Sequence, residues 1–294
     1  ITIPTYLKYI GENAFYGCNE ISKINFNDRL ESIGNNAFWC CNNLVGTLEM
    51  PNTISYIGKQ SFASCDYEEI IFSNNLKIIF DSAFSNNIHL DDVIVIPEGV
   101  VSVGYFAFSR TPVYAAILPS SLMNLGDYAF GDNKENVEIA IKSEEMESFR
   151  RNYQDNYKYY LMSGTQTSNY ADNKNITYEN LRTIKPNSIQ FKETNIELYT
   201  NSDEYQLEYT VTPRFFEGYK AIWSSLNEDI LTVNENGIVI PKDVGTAIVE
   251  ITIDGIKSNC TINVKKPIVQ TISGTIKNLG DKTKDIKIEV LEKD

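Results

Sequence analysis

The sequence predicts a mainly β protein, a repeat solenoid followed by a β-sandwich. Two observations predict it. In the first half a small residue precedes a phenylalanine six times, at Ala14-Phe15, Ala37-Phe38, Ser61-Phe62, Ala83-Phe84, Ala107-Phe108 and Ala129-Phe130, in steps of 23, 24, 22, 24 and 22 residues. A fixed period in this range marks one short supersecondary unit stacked on copies of itself. From Pro186 to Val264, seven or eight short runs instead alternate apolar and polar residues at regular spacing, which implies two facing β-sheets. A solenoid offers a long regular surface and no obligatory cleft, so binding is favoured over catalysis.

Each repeat opens on an aliphatic-Gly step: Ile10-Gly11, Ile33-Gly34, Ile57-Gly58, Val103-Gly104 and Leu125-Gly126. The glycine allows a positive φ or a close backbone approach. The small-Phe pair comes next, and its phenylalanines are expected to stack as a core spine. A strand closes the unit: Ile24-Asn25-Phe26, Leu48 to Pro51, Ile70-Ile71-Phe72, Ile94 to Pro97, Ala116 to Pro119 and Ile139-Ala140-Ile141, with Ile1 to Pro4 as the same strand of a preceding repeat. Period-two alternation turns the outer residues of each triplet inward and the middle one outward. Proline after the strand stops it.

Cys18, Cys41 and Cys65 each follow a repeat phenylalanine by three residues. Stacked coils bring such positions within reach of a disulfide. The preferred reading is a ladder of small buried thiols, because free Cys behaves as a core hydrophobe. Their spacing matches no zinc pattern, and Cys40 and Cys260 have no evident partner.

The repeat resembles the leucine-rich repeats of the BspA-like family, with the pattern IGxxAFxxCxxLxxIxIP. Glu12 to Ile24 follows it almost residue for residue, and the likeness covers about the first 140 residues in register. It degrades where Phe80 replaces the glycine and Asn87 the cysteine. The expected domain is a leucine-rich-repeat solenoid over residues 1–141. The resemblance implies a bacterial surface or secreted protein that attaches to host matrix proteins or other cells.

Past Ile141 the period is lost. Residues 142–185 read as a helical cap and linker. Met146, Phe149 and Tyr153 fall on one helical face, suited to covering the last coil, and Ser163 to Asn175 is polar enough for a loop. Residues 186–265 form the sandwich, with Trp223 as its expected core anchor. Thr210-Val211-Thr212-Pro213, Ile222-Trp223-Ser224-Ser225, Leu231 to Val239 and Gly245-Thr246-Ala247 resemble a bacterial Ig-like domain of the group 2 type. That resemblance implies a stalk spacer, sometimes an adhesive one. Residues 266–294 read as extra strands or the start of a further β module. The chain opens at Ile1 on a strand, without an initiator Met or signal pattern, and reads as a piece of a longer protein.

Formal net charge is -13. Such a surface repels phosphate backbones, and the basic residues are scattered, so nucleic acid is not an expected partner. No apolar run approaches the ~20 residues of a membrane helix, so no membrane insertion is expected of this stretch. His89 is the only histidine, which removes most acid–base and metal constellations. Ser224-Ser225 lacks the glycines of a nucleophile elbow. Asp91-Asp92 and Asp203-Glu204 lack the spacing of a calcium loop. No catalytic residue, cofactor or metal site is expected.

The outward strand positions run Thr2, Asn25, Glu49, Ile71, Val95, Ile117, Ala140, and the neighbouring row Lys23, Thr47, Glu69, Val93, Ala115, Glu138. Ile71, Val93, Val95, Ala115 and Ile117 would form one apolar patch, the candidate partner-binding site. Host or cell-surface proteins are the expected partners. The same patch could instead pack on the cap or the Ig-like unit, form a homo-oligomer, or be β-branched filler. Two other readings of the whole remain: a self-associating scaffold, and a carbohydrate-binding accessory module. The latter needs an exposed aromatic platform, which the strand face lacks.

Overall fold

In the computed structural model of the chain, the solenoid is held by three separate hydrogen-bonded stations per coil. The structure describes residues 1–90, 93–133, 137–146, 148–149 and 157–267. Asp91, Asp92, Tyr153 and residues 268–294 lie outside them.

The first station is the aliphatic-Gly step, a two-residue strand in every coil. Tyr9–Ile10, Ser32–Ile33, Tyr56–Ile57, Ile78–Ile79, Ser102–Val103, Asn124–Leu125 and Ser148–Phe149 pair in parallel, in chain order. Here the glycines serve close approach. A Cβ on Gly58 would lie 2.6 Å from the Gly34 carbonyl carbon, and one on Gly126 2.4 Å from that of Gly104. None of these repeat glycines has a positive φ.

The second station is the phenylalanine turn. Phe15 N donates to Ala37 O, Phe38 N to Ser61 O, and Phe62, Phe84 and Phe108 follow the same rule. The residues two before and two after each phenylalanine are left-handed, among them Asn36 (φ 54°), Cys40 (59°), Phe106 (55°) and Arg110 (55°). The six rings stack face to face, with centroids 5.1 to 5.6 Å apart in successive coils. From Phe38 onward they are fully buried.

The third station is the strand face. Val93–Val95, Ala115–Leu118, Val137–Ile141, Tyr157–Leu161 and Tyr178–Asn180 form a parallel sheet. Val45–Glu49 pairs with Asp66–Ile71, and Thr2 bridges to Asn25. The register aligns the two rows read from the sequence: Val95 opposite Ile117 opposite Ala140, and Val93 opposite Ala115 opposite Glu138.

All five thiols are free. Cys41 Sγ lies 3.0 Å from Phe15 O, and Cys65 Sγ 3.3 Å from Phe38 O, so the position donates to the phenylalanine carbonyl of the preceding coil. Asn87, at the degenerate site, gives its amide protons to Phe62 O and Phe84 O at 2.9 Å each. Burial raises the Cys41 thiol to about 11 and pushes Cys65 up further, so both stay protonated and inert.

Of the helical cap expected at the start of residues 142–185, the described residues up to Leu161 form no helix. Met146 is buried in the solenoid core, Ser148–Phe149 is a strand, and Tyr157–Leu161 pairs with Val137–Ile141 over five residues. Repeat stacking therefore continues past Ile141 without its phenylalanine signature. The helix lies instead at Gln166–Asn173, in the stretch that reads as a loop. Thr165 Oγ1 accepts from Ser168 N while Ser168 Oγ accepts from Thr165 N, a reciprocal cap. Its buried residues are Thr167, Ser168 and Ala171, too polar to give an apolar period.

From Ser188 the strands gather into three groups around a second apolar cluster. Asn195–Tyr199, Ile256–Lys265, Gly245–Ile253 and Ile222–Ser225 pair in that order. Tyr205–Gln206, Ile238–Pro241 and Leu231–Val233 form a second group, and Ser188–Phe191 pairs with Tyr209–Thr212. Val211, Val239, Ala247, Val249, Ile251 and Ile262 are at its centre. Trp223 is half-buried at the rim, edge-on to Tyr209 with ring centroids 5.5 Å apart, so it lines this core rather than anchoring it.

Candidate partner-binding face

The five residues expected to form one exposed patch are divided by the second unit. Between Thr212 and Tyr219 the chain makes a 3-10 turn, Arg214–Gly218, whose Phe215 and Phe216 are buried against the strand face. They share a cluster with Val93, Ala115, Ile117, Ala140 and Tyr160. Ala115 is 0% exposed, Ile117 2% and Val93 8%, whereas Ile71 keeps 46% and Val95 42%. Three of the five are therefore intramolecular contacts. The physical cause is two adjacent aromatic rings that need apolar cover and find it on the β-branched coils.

Polar groups fix this junction. Phe215 N donates to Glu138 Oε2 at 3.0 Å, and Tyr114 OH donates to Glu217 Oε2 at 2.6 Å. The Arg214 guanidinium lies 3.2 Å from the Tyr114 ring centroid. Burial raises the Glu138 carboxyl above the usual range, against the lowering effect of the Phe215 amide. At Gly218 the turn comes so close that a Cβ would lie 2.7 Å from Ile117 Cδ1 and 2.8 Å from Val95 Cγ2.

Beside the junction the face stays open. A groove of about 680 Å³ runs along Ile70, Phe72, Val95 and Pro97, with Glu69, Glu98 and Glu217 on its rim. A second, of about 710 Å³, continues toward the N-terminal coils over Asn25, Phe26, Thr47, Glu49 and Met50. Glu69 accepts from Thr47 Oγ1 at 2.9 Å, and Glu98 from Ser120 Oγ at 2.8 Å. No ion pair is formed by Glu49, Glu69 or Glu98 among the described residues. The arrangement is an apolar floor of Ile70, Phe72, Val95 and Pro97 inside a carboxylate rim, and Ile71, next to Ile70, is exposed.

Sequence reasoning missed Glu98 and Glu217 because one follows the strand and the other comes from the second unit. The signal for the junction was Phe215-Phe216, an aromatic pair in a short turn after Pro213. His89 lies elsewhere, exposed, with Nδ1 3.2 Å from Asp66 Oδ1. Among the described residues no group of acidic, His or Cys side chains is placed to hold a metal, and no helix is long and apolar enough to cross a membrane.

A family model described as the BspA type leucine rich repeat region matches residues 1–95, 57–170 and 92–208, which together span more than half the chain. No curated protein matches. Among solved structures, a leucine-rich repeat protein from Bacteroides ovatus is 23% identical, over 55% of this chain and 54% of its own, with a TM-score of 0.32. The pneumococcal vaccine antigen PcpA is 18% identical, over 62% of this chain and 66% of its own, at 0.36. A leucine rich cell surface protein from Faecalibacterium prausnitzii is 22% identical, over 49% and 47%, at 0.33. The matched region thus spans roughly half to two thirds of those chains.

Proposed function

This chain belongs to the BspA-type leucine-rich repeat family, and on that premise we propose that it is a non-enzymatic, surface-displayed protein that binds host or cell-surface proteins. The binding surface is the open part of the strand face, centred on Ile71 and Val95. The second unit acts as an Ig-like spacer docked beside it. The observation that carries this reading is the pair of exposed β-branched side chains on a face that carries Glu69 and Glu98, neither in an ion pair among the described residues. Exposed apolar surface rimmed by polar groups marks interaction sites, and the carboxylates fit a partner that offers apolar residues flanked by Lys or Arg.

The test is binding of the chain to a panel of immobilised host matrix proteins and to whole cells at two salt concentrations. Saturable binding that weakens as salt rises supports the proposal. Salt-independent binding, or none to any member, counts against it. Self-association seen by sedimentation, without binding to the panel, would favour a scaffold.

A further inference from the structure

The phenylalanine-turn side of the solenoid carries a second feature, unrelated to the strand face. Three rows of residues flank the phenylalanines on these turns, one residue of each row per coil. The row two before the phenylalanine reads Asn13, Asn36, Gln60, Ser82, Phe106, Tyr128. The row one after it reads Tyr16, Trp39, Ala63, Ser85, Ser109, Gly131, and the row two after it Gly17, Cys40, Ser64, Asn86, Arg110, Asp132. Large aromatic residues therefore stand at Trp39 and Phe106, three coils apart, and only small or polar residues lie between them. At one inter-strand spacing per coil, that separation is roughly 15 Å.

The result is a trough of about 330 Å³ with Trp39 at one end, Phe106 and the Arg110–Asp132 pair at the other, and a floor that includes Gln60 and Ser85. Phe106 is 41% exposed, and its ring stacks on Tyr128 with centroids 5.3 Å apart and planes within 4°. Its opposite face is turned to the Ser82 coil, which lines the same trough. Trp39 is braced edge-on by Tyr16 at 5.2 Å. Asn86 Nδ2 donates to Ser64 Oγ at 3.1 Å across the floor, which leaves hydroxyl and amide groups that both donate and accept. At the Phe106 end Arg110 Nε lies 3.5 Å from Asp132 Oδ2, an ion pair that offsets its own charge.

From this geometry we infer that the trough is a binding site for a neutral oligosaccharide. Aromatic walls offer flat apolar faces to the C–H faces of sugar rings. The hydroxyl and amide floor matches sugar hydroxyls, which also donate and accept. An uncharged floor in a chain of net charge -13 gives nothing to a phosphate or sulfate. The backbone beneath is held, because the wall and floor residues from Trp39 to Arg110 are carried by the inter-coil ladder of the phenylalanine turns, so little ordering cost accompanies binding.

The test is an array of neutral glucose-, xylose-, mannose-, galactose- and N-acetylglucosamine-based oligosaccharides beside sulfated and uronic-acid controls, with calorimetric titration of each binder. The inference expects at least one neutral oligosaccharide to bind and the acidic controls not to. Trp39→Ala and Phe106→Ala should each weaken binding about tenfold or more, the loss of one stacked ring. Ser85→Arg, which fills the floor and leaves both rings in place, should abolish binding with an unchanged melting temperature. Ile71→Glu/Val95→Glu should leave glycan binding intact, which separates this site from the strand face. No binder in the array, or a binder unaffected by Ser85→Arg and both ring deletions, would overturn the inference.

Discussion

At the scale of single residues the repeat is a matter of distance between backbones. Gly126 has the Gly104 carbonyl carbon 2.4 Å from where its Cβ would be, whereas Gly11 has nothing within 4 Å. Two identical substitutions should therefore differ. Gly126→Ala is expected to destabilise by about 1–3 kcal/mol, as overpacking does, and Gly11→Ala to be neutral or stabilising by up to ~1 kcal/mol. Urea unfolding of the two variants beside the parent checks the contrast. In the spine, Phe62 is fully buried between Phe38 and Phe84, so Phe62→Ala should cost about 3–5 kcal/mol by the same measurement. These residues were legible in the sequence because chemistry and period coincide: glycine recurs at a close backbone contact in most coils, and the ring recurs in register. The role of the Cys position was not legible as a hydrogen-bonding one. Cysteine and asparagine look unlike each other, yet Cys41, Cys65 and Asn87 each serve the phenylalanine carbonyl of the coil before it.

At the scale of elements, the strand register was legible, since one face must be buried and a one-residue slip would invert it. The coils after Ile141 were not. Met146 keeps the buried aliphatic position that Leu122 holds in the coil before, but no small-Phe pair recurs in the sequence one period after Phe130 and the strand is Tyr-rich, and the helix Gln166–Asn173 buries Thr, Ser and Ala, so hydrophobic period carries no signal there. The 3-10 turn is the element on which the junction depends. Glu138 tests it through pH. Its folded carboxyl is raised above the unfolded value by burial, so folding takes up a proton there. The group's contribution is thus most favourable below the unfolded value and is lost as pH rises through the raised one. Glu138→Gln keeps an acceptor for Phe215 N and removes the charge. It should flatten the fall in stability with rising pH and be the more stable chain at neutral pH. Unfolding midpoints followed from about pH 4 to 8 read this directly, and parallel profiles for the two chains would contradict it.

At the scale of the whole molecule, two units share one surface. The sequence placed five apolar residues in a line, and the fold divides that line between an internal contact and an open groove, because Phe215 and Phe216 are far from the repeats in sequence and adjacent to them in space. No periodicity could show which coils they cover. The division gives the proposed function a sharp form: Ile71 and Val95 are available to a partner, and Ile117 is not. The most direct measurement is partner binding by two folded variants, Ile71→Glu/Val95→Glu on the open face and Tyr16→Glu on the exposed turn side, compared with the parent for any host or cell-surface protein the parent binds. The account predicts that the first variant loses binding at least tenfold, since it buries new charge at the contact, while the second binds as the parent does. Equal binding by the parent and Ile71→Glu/Val95→Glu would contradict it.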